Sequence, residues 1–127
     1  MKPYVRPMPA TWWLQRRPYL IFMLREISSV FVAAYLILLL VMIHRVSQGP
    51  AAYESFLESL RSPAAIFFHI IALAFALLHT ITWFNLTPQA MAVYIGEERV
   101  RPALIIAPNY VAWVVVSAIM AWVILGG

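Results

Sequence analysis

The sequence predicts an all-α integral membrane protein with three transmembrane helices and a short outer interfacial helix, and three observations carry that prediction. Of its 127 residues 64% are hydrophobic and 11% charged, and the mean hydropathy is +0.84, more apolar surface than a soluble domain of this size can hide. Three uninterrupted apolar stretches, Ile27 to Ile43 with His44 just beyond, Ala64 to Leu86, and Ala103 to Leu125, approach or exceed the roughly 20 residues that cross a bilayer core of about 30 Å at 1.5 Å rise. Finally, the basic residues are unevenly placed. Lys2, Arg6, Arg16, Arg17 and Arg25 precede the first stretch and Arg99 and Arg101 lie between the second and third, whereas only Arg45 and Arg61 flank the first loop. The positive-inside rule then puts the N-terminus and the second loop in the cytoplasm, and the first loop and Gly127 outside.

Taken in order, residues 1–20 form a cytoplasmic segment. Prolines 3, 7, 9 and 18, basic residues and the pair Trp12–Trp13 suit an extended stretch lying on a membrane surface or on another protein chain. The first span, 21–46 with its cytoplasmic lead-in, starts too late and runs too long for a signal peptide, and lacks a small-x-small cleavage site, so it is expected to stay in the mature protein. Gly49 and Pro50 break the chain. In residues 51–61, Tyr53, Phe56, Leu57 and Leu60 recur at helical spacing opposite Glu54, Ser55, Glu58 and Ser59, the pattern of an interfacial helix. The second span, 63–87, opens at Pro63, where a missing amide hydrogen is tolerated, and Pro88 is expected to end it. The third, 102–125, opens at Pro102 and is expected to kink at Pro108. No repeat or low-complexity tract divides the chain, which reads as one domain.

On the second span His69, Ala72, Ala76, His79, Thr80 and Trp83 fall within an arc of roughly 100° at 3.6 residues per turn. This small-and-polar stripe is the expected packing face, with Phe67, Ile71, Phe75 and Leu78 turned mostly elsewhere.

His79 is the first functional candidate, because the span around it contains no Lys, Arg, Asp or Glu and ionisable groups at such depth face a partner or a cavity. Arg25 and Glu26 at the foot of the first span, and His79 and Trp83 near the cytoplasmic end of the second, are expected at similar depth. A carboxylate, a guanidinium, an imidazole and an aromatic plate are what a quinone site needs: donors for two carbonyl oxygens, an acceptor for hydroxyl protons, and flat apolar walls. Structural roles compete with that reading. Glu26 complements the positive end of a helix, Arg25 snorkels to headgroups, Trp83 belongs to the aromatic belt, and His79 makes an interhelical hydrogen bond. A haem held by His44 and His69 is a weaker alternative. His69 and His79, ten residues apart on one helix and so roughly 15 Å apart, cannot ligate the same iron. The absence of cysteine excludes thiolate-ligated iron–sulfur or zinc sites and disulfides within this chain. A small transporter would need a polar pathway that the spans do not offer.

KPYVRPMPATWW (2–13), MLRE (23–26), GP (49–50) and LLHTITWF (77–84), in this order and at this spacing, resemble the C subunit of bacterial quinol:fumarate reductase over nearly the whole chain. Ile81 and Asn85 stand where the enterobacterial form would carry a basic and an acidic residue. The resemblance implies a membrane anchor in the bacterial inner membrane, paired with a second three-helix anchor, the D subunit. It also implies a flavoprotein (A) and an iron–sulfur protein (B) on the cytoplasmic face, which alone would hold FAD and the iron–sulfur clusters. Its partners would be these three chains of fumarate reductase and the lipid bilayer, with no nucleic acid. By the same resemblance a menaquinol site is shared with the partner chains. Glu26 would accept the quinol proton, Arg25 would be its electrostatic neighbour, and His79 and Trp83 would contact the quinone. Chains with the LLHTxTWF pattern are similar to haem-free anchors, so no haem and no metal are expected here.

Overall fold

A computed structural model describes residues 7–126, so Lys2, Arg6, the first part of the KPYVRPMPATWW block and Gly127 lie outside the described residues. The described part of the N-terminal segment, predicted to be extended, contains a 3-10 turn at Trp12–Leu14. The Trp12 amide donates to the Pro9 carbonyl at 3.0 Å, and the Trp12 ring meets Tyr19 edge-on at 5.2 Å. Pro9, with its fixed φ, suits such a tight turn.

Helix α1, Arg17–Ser47, begins four residues before the predicted start at residue 21. Pro18 lies in its first turn, where a fixed φ suits the helix and the lacking amide hydrogen would be unpaired anyway. At the other end Arg45 donates to Gln48 Oε1 and the Gln48 side-chain amide donates to His44 Nε2, both at 3.2 Å. That places the Arg45 cation beside the negative end of the helix. Gly49 then takes φ 106 and ψ 173, a region almost closed to residues with a Cβ. It turns the chain into α2, Pro50–Leu60. Ala52, Tyr53, Phe56 and Leu60 on α2 are half-buried while Glu54, Ser55, Glu58 and Ser59 are exposed, the division its spacing predicts; Leu57 alone of the predicted apolar face is exposed.

Helix α3 spans Pro63–Ala90, and the Ser62 hydroxyl accepts the Ala65 amide at 3.3 Å, an N-cap geometry. The chain packs as two units, one up to His79 and one from Thr80. Within the first, α1 and α3 run antiparallel, since contacts descend α3 as they ascend α1. Ser28 Oγ lies 2.9 Å from His79 Nδ1, Phe31 stacks on Phe75 with centroids 4.3 Å apart at 8°, and Tyr35 meets His69 edge-on at 5.6 Å. Ala72 is the most buried hydrophobic residue, 4% exposed, and His69, Ala76 and His79 are half-buried. The part of the small-and-polar stripe within this unit, His69 to His79, therefore faces α1, but Phe75 does too, contrary to its expected outward position. Phe31 stands opposite it, and the two stacked rings gain close van der Waals contact with each other.

In the second unit α3 continues through Pro88 instead of ending there. The proline lies in the last turn, which closes through the Met91 amide bonding the Thr87 carbonyl at 2.8 Å. Arg99 donates to the Pro88 carbonyl at 2.9 Å, satisfying one of the four carbonyls that a helix end leaves unpaired. The loop between α3 and the last helix carries a hairpin of β1, Tyr94–Ile95, and β2, Glu98–Arg99, with Tyr94 opposite Arg99. Gly96 at φ 64 supplies the positive dihedral that a two-residue hairpin turn demands. Helix α4, Pro102–Gly126, is continuous through Pro108. Its Tyr110 and Trp113 meet Phe84 edge-on at 5.1 and 6.3 Å, and Asn85 donates to the Tyr110 hydroxyl at 3.0 Å.

Helices α1, α3 and α4 are long and apolar enough to cross a membrane, and large apolar side chains such as Leu40, Phe67, Trp122 and Leu125 point outward, 65 to 85% exposed. An apolar exterior on helices of bilayer length is the arrangement lipid requires.

Candidate functional site

The site is built on the N-terminal third of α1, where Arg25 and Ser28 are the two buried residues of the helix. They are three positions apart and so share a face. Arg25 is 9% exposed. Its Nε lies 3.7 Å from Glu26 Oε1, and its guanidinium carbon lies 5.1 Å from the centroid of the Phe22 ring, a cation–π distance. Glu26 is the open member of the pair, its side chain 52% exposed against 10% for Arg25. Ser28 is completely buried. Its hydroxyl donates to the Arg25 carbonyl one turn back and lies 2.9 Å from His79 Nδ1 on α3.

Three of the four predicted residues thus converge within the first unit. Arg25 and Glu26 pair on α1, and His79 is tied to the same turn through Ser28. Trp83 belongs to the second unit and is 42% exposed. Ser28 went unremarked in the sequence. Its signal was a polar residue three positions after Arg25 on a face that continues with Phe31 and Tyr35.

Chemically the cluster offers a permanently charged donor in Arg25, a hydrogen-bonding imidazole in His79 and an accessible carboxylate in Glu26, with Phe22 as an apolar wall. A separate cavity of about 450 Å³ lies further along α1 and α3, lined by residues that include Phe31, Tyr35, His69, Ala72 and Ala76. It is almost wholly apolar and includes neither Arg25, Glu26 nor His79. His69 donates from Nδ1 to the Ala65 carbonyl at 2.6 Å. Among the described residues no group of three or more His, Cys, Asp or Glu gathers as a metal site would require.

The family model for the C subunit of fumarate reductase matches residues 1–125. The chain belongs to the fumarate reductase C-subunit family. It is 41% identical over 125 residues to the fumarate reductase C subunit of Mycobacterium tuberculosis, covering 98% of this chain and 99% of the relative. To the C subunit of Yersinia pestis fumarate reductase it is 39% identical over 119 residues, covering 94% and 92%. With its three bilayer-length helices, this member of the fumarate reductase C-subunit family is a multi-pass membrane protein and one component of a larger complex.

Proposed function

We propose that the chain anchors the flavoprotein and iron–sulfur components of fumarate reductase to the bacterial inner membrane, together with the second anchor, the D subunit, and helps to oxidise menaquinol. The N-terminus and second loop face the cytoplasm, as the seven basic residues there against two on the other side favour. The observation that carries the reading is the convergence of Arg25, Glu26 and, through Ser28, His79 at one level of the first unit. Family membership supports the complex; the proposed role of Trp83 rests on the LLHTITWF segment alone.

Oxidising menaquinol to menaquinone releases two protons and two electrons. Arg25 holds an oxygen that gains negative character as its proton leaves, and His79 hydrogen-bonds the quinol head and orients it. Glu26, with an accessible carboxylate beside a fixed positive charge, accepts the two protons in turn, one with each electron that leaves, and passes each to the cytoplasmic side before taking the next. The electrons need an acceptor that takes them singly, which an iron–sulfur cluster supplies. This chain has no cysteine, so thiolate-ligated clusters do not fit its residues and are assigned to the iron–sulfur component, with FAD in the flavoprotein.

Glu26→Gln in the assembled complex keeps the shape and removes the proton acceptor. Since a positioned general base contributes about 100-fold or more, menaquinol:fumarate turnover is expected to fall by at least that factor while all components remain associated. Fumarate reduction driven by a dye that bypasses the quinone should be unaffected. Unchanged menaquinol oxidation in an intact complex would remove Glu26 from the proton path.

A further inference from the structure

We propose that Ser28 is a positioning residue that fixes the tautomer of His79, keeping the proton on Nδ1 and the lone pair on Nε2. The inference rests on the reading of His79 as a quinone contact only for its consequence in turnover; the geometry stands on its own.

Proton counting decides the orientation of the hydroxyl. A serine hydroxyl has one proton and two lone pairs. The Ser28 oxygen is in hydrogen-bond contact with the Arg25 carbonyl oxygen, and two oxygens held together need a proton between them. The carbonyl has none, so the serine proton points there. What the serine turns toward His79 Nδ1 at 2.9 Å is therefore a lone pair, and two lone pairs facing each other, with the serine fully buried and the imidazole half-buried, would leave both atoms unsatisfied at that contact. The ring must supply the proton from Nδ1. Because Ser28 has no exposed surface, no water competes for that place.

In the neutral ring this leaves Nε2 as an acceptor, the form that receives a hydrogen bond from a quinol hydroxyl. The opposite tautomer would present a donor and would favour the oxidised carbonyl instead. Ser28 thus biases the site toward the reduced substrate without touching it. Ser29 is the internal comparison. It makes the same kind of bond to its own helix, donating to the Glu26 carbonyl at 2.5 Å, but it is exposed.

The experiment uses the complete complex in lipid nanodiscs, labelled with nitrogen-15 histidine, with the His79 signals identified by their loss in His79→Gln. In the unaltered complex and in Ser28→Thr, which retains the hydroxyl, the protonated nitrogen of His79 is expected to be Nδ1. In Ser28→Ala the population should move toward the Nε2-protonated form. Ser28→Cys, which nearly keeps the volume but accepts hydrogen bonds poorly, should move it the same way and guards against a folding artefact. Menaquinol KM should rise roughly 5- to 10-fold in Ser28→Ala, as expected for the loss of one buried hydrogen bond, and stay unchanged in Ser29→Ala. In a His79→Ala background Ser28→Ala should add nothing. An identical His79 spectrum in the unaltered and Ser28→Ala complexes overturns the inference, as does an undiminished kinetic effect of Ser28→Ala without His79. If His79→Ala itself leaves menaquinol kinetics unchanged, the quinone reading falls, and the nitrogen spectrum still decides the role of Ser28.

Discussion

Arg25 poses the sharpest energetic question at the level of single residues, because a guanidinium 9% exposed on a helix of bilayer length is expensive unless its charge is met. Here the Glu26 carboxylate lies at 3.7 Å and the Phe22 ring presents its face to the cation. A lysine could not reproduce this, since its compact ammonium lacks the planar fork. His79 is the cross-helix member, and its removal tests binding more than chemistry. His79→Ala is expected to raise menaquinol KM about 10-fold, as for one or two lost hydrogen bonds, and to weaken inhibition by quinone analogues in parallel, with dye-driven fumarate reduction unchanged. Unaltered quinol kinetics and inhibitor sensitivity would reduce it to a packing residue. Arg25, Glu26 and His79 were legible in the sequence because titratable groups stand out in apolar spans. Ser28 was not. A helical serine commonly bonds back to its own turn, as Ser29, Ser47 and Ser59 also do, so its presence says nothing about a partner on another helix.

At the level of elements, backbone geometry at the joints decides how the helices connect. Gly49 lies at φ 106 and ψ 173 with open space where a Cβ would sit, so Gly49→Ala would meet no clash and would still be strained by its dihedrals. The expected cost is about 1–3 kcal/mol. It should register as a lower thermal midpoint of the complex, whereas Ala51→Ser, on the exposed side of α2, should leave the midpoint in place. Helix positions followed directly from the length of the apolar stretches, since only a helix satisfies its backbone in lipid within about 20 residues. What the pattern did not reveal was set by contacts remote in sequence. The Pro88 carbonyl is satisfied by Arg99, eleven residues on, and Phe75 is drawn inward by Phe31 on another helix. Neither partner is visible within the local window that periodicity uses. The hairpin at Tyr94–Arg99 went unpredicted because two-residue strands are too short to show alternation, although Gly96 marks their turn.

At the level of the whole molecule, the apolar exterior and the scarcity of buried side chains describe a chain whose stability depends on lipid and on neighbouring chains of the complex. A haem bridging two helices of this chain would need two imidazoles from facing helices available to one iron. His69 and His79, on one helix, are too far apart along it, roughly 15 Å. His44 sits in the last turn of α1, exposed, with its Nε2 accepting the Gln48 side-chain amide. His69 has its Nδ1 proton committed to the Ala65 carbonyl, and that bond would orient an iron ligand equally well, so His69 alone does not decide the matter. Within this chain the second ligand is the obstacle. His44 would have to exchange its place beside Gln48 at the helix end for a position within the membrane, giving up the hydrogen bond from the Gln48 side-chain amide. With no such pair in this chain and an LLHTITWF segment similar to that of haem-free anchors, the purified complex is expected to show no haem absorbance in a dithionite-reduced minus oxidised visible spectrum, while its menaquinol:fumarate activity is full and withstands removal of free haem. A stoichiometric b-type spectrum that disappears in His69→Ala would instead place an iron between the helices and move electron transfer in this chain onto a different route.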